Sequence, residues 1–106
     1  MPPIEEIRRK VDEERFEFSE HATDHTILRR ITVLELREAL AGGVVIEDYP
    51  DDKYGPSCLI FGVTTAGRPL HVQCSYPSPS LLKIITVYEP DPNQWVGFKT
   101  RKRDGE

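Results

Sequence analysis

The feature that most constrains this chain is a run of strict alternation, Leu70-His71-Val72-Gln73-Cys74-Ser75-Tyr76. Apolar and polar residues trade places with the period of two that belongs to a half-buried strand. Leu70, Val72, Cys74 and Tyr76 share one face, and His71, Gln73 and Ser75 share the other. Segments of similar length flank it, Ser57 to Thr64 before and Leu81 to Glu89 after, each bounded by Gly, Pro or Ser. This pattern predicts the middle strand of an antiparallel sheet, with His71 displayed on the face opposite the apolar residues.

The rest of the chain arranges itself around that strand. Pro2 and Pro3 suit the approach to a helix, and Ile4, Ile7 and Val11 fall on one face of a helix ending near Arg15. Phe16 to Phe18 either joins the sheet edge or connects. Ser19 is placed to cap a second helix over about Glu20 to Arg30, which sets His21, His25 and Arg29 along one stripe. Thr32-Val33-Leu34-Glu35 reads as a capping box, Ile31 and Leu36 as its hydrophobic staple, and Val33, Leu36 and Leu40 as the buried stripe of a third helix that stops at Gly42 and Gly43. A strand from Val44 to Tyr49 follows, then the polar loop Pro50 to Pro56. Thr65 to Arg68 makes a tight turn, Pro77 to Ser80 a second connection, and Pro90 and Pro92 end the last strand. Trp95 and Phe98 are expected to fold back over an apolar surface. Helices first and a meander of about four strands after them give an α+β fold, with the helices on one face of an antiparallel sheet and the other face partly open or grooved. Residues 1–106 form a single domain with a core over about 16–98 and a basic, flexible tail over 99–106.

With 106 residues, 38% of them hydrophobic and 30% charged, the chain has enough apolar surface for one core and too little for two. Its longest apolar runs are strand-sized and its start is charged, which excludes a membrane segment or signal peptide and indicates a cytoplasmic protein. Cys58 and Cys74 lack metal-ligand spacing and read as small core hydrophobes. A net charge of −4 argues against unspecific binding of nucleic acid, although Lys99, Arg101, Lys102 and Arg103 concentrate positive charge in five residues. His21 and His25 have the i, i+4 spacing of metal ligands but no HExxH context, so neither a metal nor another cofactor is expected. Glycine-rich phosphate loops and GxSxG are absent. His71, flanked by Arg68 and Gln73, has neighbours suited to receiving a phosphate and moving a proton near neutral pH; as a plain strand residue it would face solvent. Tyr54, Tyr76 and Tyr88 are candidates for stacking on a base or for half-buried packing.

Five short segments taken together carry a resemblance. They are Ser19-Glu20-His21-Ala22; Arg29 or Arg30 followed by Ile31-Thr32; Val45 to Asp52; Arg68-Pro69-Leu70-His71-Val72; and Ile85 to Asp91. In this order, spanning Phe16 to Trp95, the chain resembles the bacterial domain-of-unknown-function family DUF4258, which itself resembles the RelE/ParE superfamily of small toxins. The resemblance implies a RelE-like fold and cleavage of messenger RNA, commonly on the ribosome, by a metal-independent endoribonuclease of a toxin-antitoxin system. It also implies an antitoxin partner of the YgiT zinc-finger type. Carried over position by position, it selects His21, an arginine at Arg29 or Arg30, Arg68, His71 and Tyr88; for RNA cleavage the leading assignment gives proton transfer to His71 and His21, phosphate stabilisation to Arg68 and Arg29, and positioning or stacking to Tyr88. The chain departs from the pattern at Asp24-His25-Thr26, where the family's first helix is expected to carry an arginine and a methionine. The alternative is a non-catalytic interaction module or degenerate toxin that binds an antitoxin, and the acidic balance of the chain favours it.

Overall fold

The computed structural model describes residues 4–53 and 55–102; Pro2, Pro3, Tyr54 and Arg103, named above, lie outside them. In chain order the elements are α1 (Ile4–Asp12), β1 (Phe16–Phe18), α2 (Glu20–Leu28), α3 (Val33–Ala41), β2 (Val44–Tyr49), β3 (Ser57–Val63), β4 (Pro69–Ser75), β5 (Leu82–Tyr88), β6 (Trp95–Val96) and β7 (Thr100–Arg101). β1 to β5 form one sheet in the order β1-β5-β4-β3-β2, with β4 in the middle. Four strands are antiparallel. The fifth, β1, lies parallel to β5 with Phe16 opposite Leu82 and Phe18 opposite Ile84, so the sheet has one strand more than the meander alone supplies.

The three helices pack on one face, as the amphipathic patterns require. Ile7 and Val11 of α1, Ala22 of α2, and Leu36, Ala39 and Leu40 of α3 meet Cys58, Ile60, Leu70, Val72, Cys74, Leu82, Ile84 and Val87 in one core. The expected stripe of α3 is corrected at Val33, which is 49% exposed, because this helix meets the sheet only from its second turn. Its capping box forms: Thr32 Oγ1 accepts the Glu35 N–H at 3.1 Å, and the Glu35 carboxylate accepts the Thr32 N–H at 3.0 Å. Such a cap contributes about 1 kcal/mol.

Ser19 has two jobs. Its hydroxyl accepts the Ala22 N–H and donates to the Ile85 carbonyl, while its N–H donates to the Ile84 carbonyl. The start of α2 is thereby fixed to β5 just beyond the short β1. At its other end α2 stops two residues earlier than the stripe suggests. The Ile31 N–H donates to the Thr26 carbonyl at 2.9 Å with Arg30 at φ +52°, the hydrogen bond and left-handed residue of a Schellman ending. Glycine usually occupies that position, and an arginine there costs on the order of 1 kcal/mol. α1 likewise stops at Asp12 rather than near Arg15, and the chain turns into β1 through Glu14 at φ +58°.

The basic end is corrected in part. Lys99 to Lys102 belong to a folded hairpin in which Trp95 pairs with Arg101 and Val96 with Thr100. The Lys99 N–H closes its turn on the Val96 carbonyl at 3.1 Å, with positive φ at both Gly97 and Phe98. This is the backbone of a type I′ turn, in which glycine is at ease and Phe98 is not. Trp95, 4% exposed, folds back as expected, but it lands on the sheet face away from the helices.

Candidate active site

Two bulges build the site. Along β5, alternation from Leu82 and Ile84 would carry Tyr88 into the core; instead the register shifts between Gln73 and Cys74 of the partner strand, Ile85 is the extra residue, and Val87 takes the inward place. Tyr88 is turned outward, directly opposite His71. Along β2 the register shifts between Val45 and Glu47, which moves Glu47 from the helix side to the outer side opposite Leu59. Bulges often re-aim a side chain in this way next to an active site.

His71 is fully buried on this outer face, contrary to the solvent-facing position expected of it. Trp95 stands edge-on at 4.4 Å between ring centroids, Tyr88 at 5.2 Å and Phe61 at 6.0 Å. Both ring nitrogens are engaged. Nε2 lies 2.6 Å from the Phe98 carbonyl oxygen and Nδ1 lies 3.1 Å from the Tyr88 hydroxyl. A carbonyl only accepts, so Nε2 carries the proton, and Nδ1 of the neutral ring accepts from Tyr88. Burial lowers the His71 pKa, against the Phe98 carbonyl and the Glu47 carboxylate, which both favour the charged ring. Burial also raises the pKa of the half-buried Tyr88 phenol.

Behind this pair lies an ionic latch that sequence reasoning missed. Arg101 donates from Nε to Glu47 at 2.8 Å and from Nη2 at 3.1 Å, and its guanidinium sits 4.7 Å from the Trp95 ring centroid. Tyr49 also donates to Glu47. Burial pushes the Glu47 pKa up, but the hydrogen bonds from Arg101 and Tyr49 outweigh it and hold the carboxyl below its usual range. Burial and the Glu47 hydrogen bond push Tyr49 up to about 12. The hairpin is thus tied to the sheet at both ends, by the Phe98 carbonyl on His71 and by Arg101 on Glu47.

The other selected residues occupy different places. Arg68 is a clamp: Nη1 donates to the Arg30 carbonyl at 3.0 Å and to Glu35, Nη2 to the Arg29 carbonyl at 2.7 Å, and Nε pairs with Glu89 at 3.3 Å. Its donors are spent on the fold. Arg29 reaches the same end of β5, donating to the Val87 carbonyl at 3.3 Å, and its guanidinium is otherwise exposed. His21 is exposed on α2, with its ring 4.1 Å from that of His25, and no contact joins it to His71. The structure therefore brings together His71 and Tyr88, sets Arg29 and Arg68 around the end of the strand that carries Tyr88, and leaves His21 in a separate pair. Among the described residues no group of three His, Cys, Asp or Glu side chains is placed to hold a metal ion. Farther along the same face runs a groove of about 360 Å³ lined by Gln73, Ser75, Lys83 and Ile85.

The profile of the family described as Domain of unknown function (DUF4258) matches residues 18–89, a span that holds His71, Tyr88, Glu47 and both arginines. No curated protein and no solved structure matches the chain. Among the described residues no helix is long and apolar enough to cross a membrane.

Proposed function

The chain belongs to the DUF4258 family, and from that premise we propose that it is a toxin-like, metal-independent endoribonuclease acting in the cytoplasm, with a RelE-like arrangement of helices on its sheet. The observation that carries this reading is the Tyr88–His71 pair: a neutral imidazole fixed in one tautomer, accepting from a half-buried phenol. In the reaction the ribose 2′-OH attacks the adjacent phosphorus. Its proton passes to the Tyr88 oxygen as the Tyr88 proton moves to Nδ1 of His71. The resulting imidazolium is favoured by the Phe98 carbonyl and by Glu47. Returning along the same path, the proton reaches the 5′-oxygen as the P–O bond breaks, leaving a 2′,3′-cyclic phosphate. Arg29 supplies the cation for the charge on phosphorus. Arg68 acts by holding the Arg29 and Arg30 carbonyls, and His21 takes no step.

The test is cleavage of RNA in the presence of a chelator, on free transcripts and on translating ribosomes. Tyr88→Phe removes the relay hydroxyl and is expected to lower the rate by about a hundredfold or more, with products from wild type ending in cyclic phosphate. A folded wild type that cuts neither substrate, or a Tyr88→Phe variant of undiminished rate, overturns the proposal. The second reading, a non-catalytic module that binds an antitoxin, is favoured by the hairpin that covers His71 and by the corner described next.

A further inference from the structure

Seven large apolar side chains stand exposed among the described residues, and four of them fall within Ile27 to Leu34. Ile27 (71% exposed) and Leu28 (78%) lie on the last turn of α2, and Val33 and Leu34 (65%) on the first turn of α3. Between them the chain turns through Arg29 and Arg30. What the fold takes from Arg30 is its carbonyl, the acceptor for Arg68, and any residue would supply that. The Arg30 guanidinium makes no hydrogen bond or ion pair with another described residue. A left-handed backbone position suited to glycine thus carries a long cationic side chain that the fold does not use, and strain of this kind points to function.

We infer that this corner docks an acidic amphipathic helix of a partner protein, with apolar side chains seated on Ile27, Leu28 and Leu34 and flanking carboxylates on Arg29 and Arg30. The inference stands whether or not the chain cleaves RNA. The backbone here is already satisfied by the Schellman ending and the capping box, so a partner has no sheet edge to extend and must bind through side chains. A second copy meeting this face across a two-fold axis would set arginines against arginines. The patch has no aromatic ring on which a base could stack. An anionic membrane is a continuous sheet of charge and would meet exposed Asp24, one turn before Leu28, together with the arginines, whereas a helix can set its carboxylates on Arg29 and Arg30 alone. The Arg68 clamp keeps the corner in shape, so little ordering is left to cost affinity.

The probe is a synthetic helix of roughly 18 residues with leucine at i, i+3, i+4 and i+7 and glutamate on both flanks, titrated into the ¹⁵N-labelled full chain. Saturable amide shifts confined to residues 26–35 are expected. Leu28→Ser and Arg30→Gly should each weaken binding by about tenfold, and the second should do so without loss of thermal stability. The inference fails if no shifts appear at about 1 mM peptide, if a lysine-flanked helix binds equally well, or if Arg30→Gly binds like wild type. It also fails if the same amides respond instead to phosphatidylglycerol vesicles, or to protein concentration alone.

Discussion

Gly62 of β3 lies directly against the backbone of α3 at Ala39, and replacing it with alanine tests how rigid that contact is. A Cβ at this position would lie 1.9 Å from the Ala39 carbonyl oxygen and 2.5 Å from its carbon, where ordinary contacts begin at 3.4 Å. The obstacle is backbone, so no rotamer change relieves it, and α3 must retreat by roughly 1.5 Å. Leu36, Ala39 and Leu40, all fully buried, line the gap that opens. A gap of about 0.5–1 Å already forfeits a quarter to a half of the dispersion energy, and each leucine is stabilised by roughly 1.5–3 kcal/mol through burial. With the strain of overpacking added, Gly62→Ala should cost about 3–4 kcal/mol, a large part of the ~5–15 kcal/mol that holds a domain of this size. Urea denaturation followed by circular dichroism measures it, with Gly42→Ala, whose Cβ would meet nothing within 4 Å, as the control. Ala39→Gly should not rescue the variant, because it leaves the offending carbonyl in place. A loss under about 1 kcal/mol at unchanged slope, or full rescue by Ala39→Gly, would refute the reasoning.

Two further outcomes follow from the site. The His71 pKa is depressed in the folded chain, so its neutral form contributes stability that is complete above the unfolded value of 6.5 and is lost as pH falls below it, down to the folded value. His25 adds in the same sense. Acid titration of the unfolding free energy should therefore begin to slope near pH 6.5, ahead of the carboxylates, and His71→Gln should flatten that first limb; a limb unchanged by the substitution would remove His71 as its source. Arg68→Lys keeps the charge and loses the fork that spans two carbonyls and two carboxylates. It should cost about 1–2 kcal/mol and speed amide exchange at Ile31, whereas unchanged exchange there would show that the corner holds without the clamp.

Much of the fold could be read from local chemistry. The Thr32 capping box, the Ser19 cap and the alternation of β4 are instructions written within a few residues, and tertiary packing agrees with each. The site was legible only as residue types. Tyr88 and Glu47 reach the outer face through bulges, and a bulge is decided by pairing with a distant strand, so strict alternation assigns both residues to the wrong side. His71 looked exposed because the hairpin that buries it lies more than twenty residues downstream and is held by backbone and ionic contacts, not by a pattern on β4. Arg68 illustrates the converse: beside a histidine it looks like a phosphate ligand, and only the positions of the Arg29 and Arg30 carbonyls and of Glu35 and Glu89 show that its donors are taken. The latch between Glu47 and Arg101 carried a faint signal, since a carboxylate placed directly after the apolar run Val44 to Ile46 needs a cation from somewhere once it is covered.

The parallel pairing of β1 with β5 also sets the order in which this chain can fold. Phe16 to Phe18 emerge early in synthesis, yet their strand partner is Leu82 to Ile84, and Lys10 waits in the same way for the Pro79 carbonyl. The β2-β3-β4-β5 meander closes through near neighbours, whereas β1, and α2 tied to β5 through Ser19, dock only after a loop of more than sixty residues has been drawn shut, which places their assembly late and makes folding slow relative to a helical domain of equal length. On a translating ribosome β1 and the start of α2 would lack their sheet partner until β5 clears the exit tunnel, and the Trp95 hairpin can close over His71 only after that. A product truncated before β5 therefore lacks both the partner of β1 and the cover of the histidine.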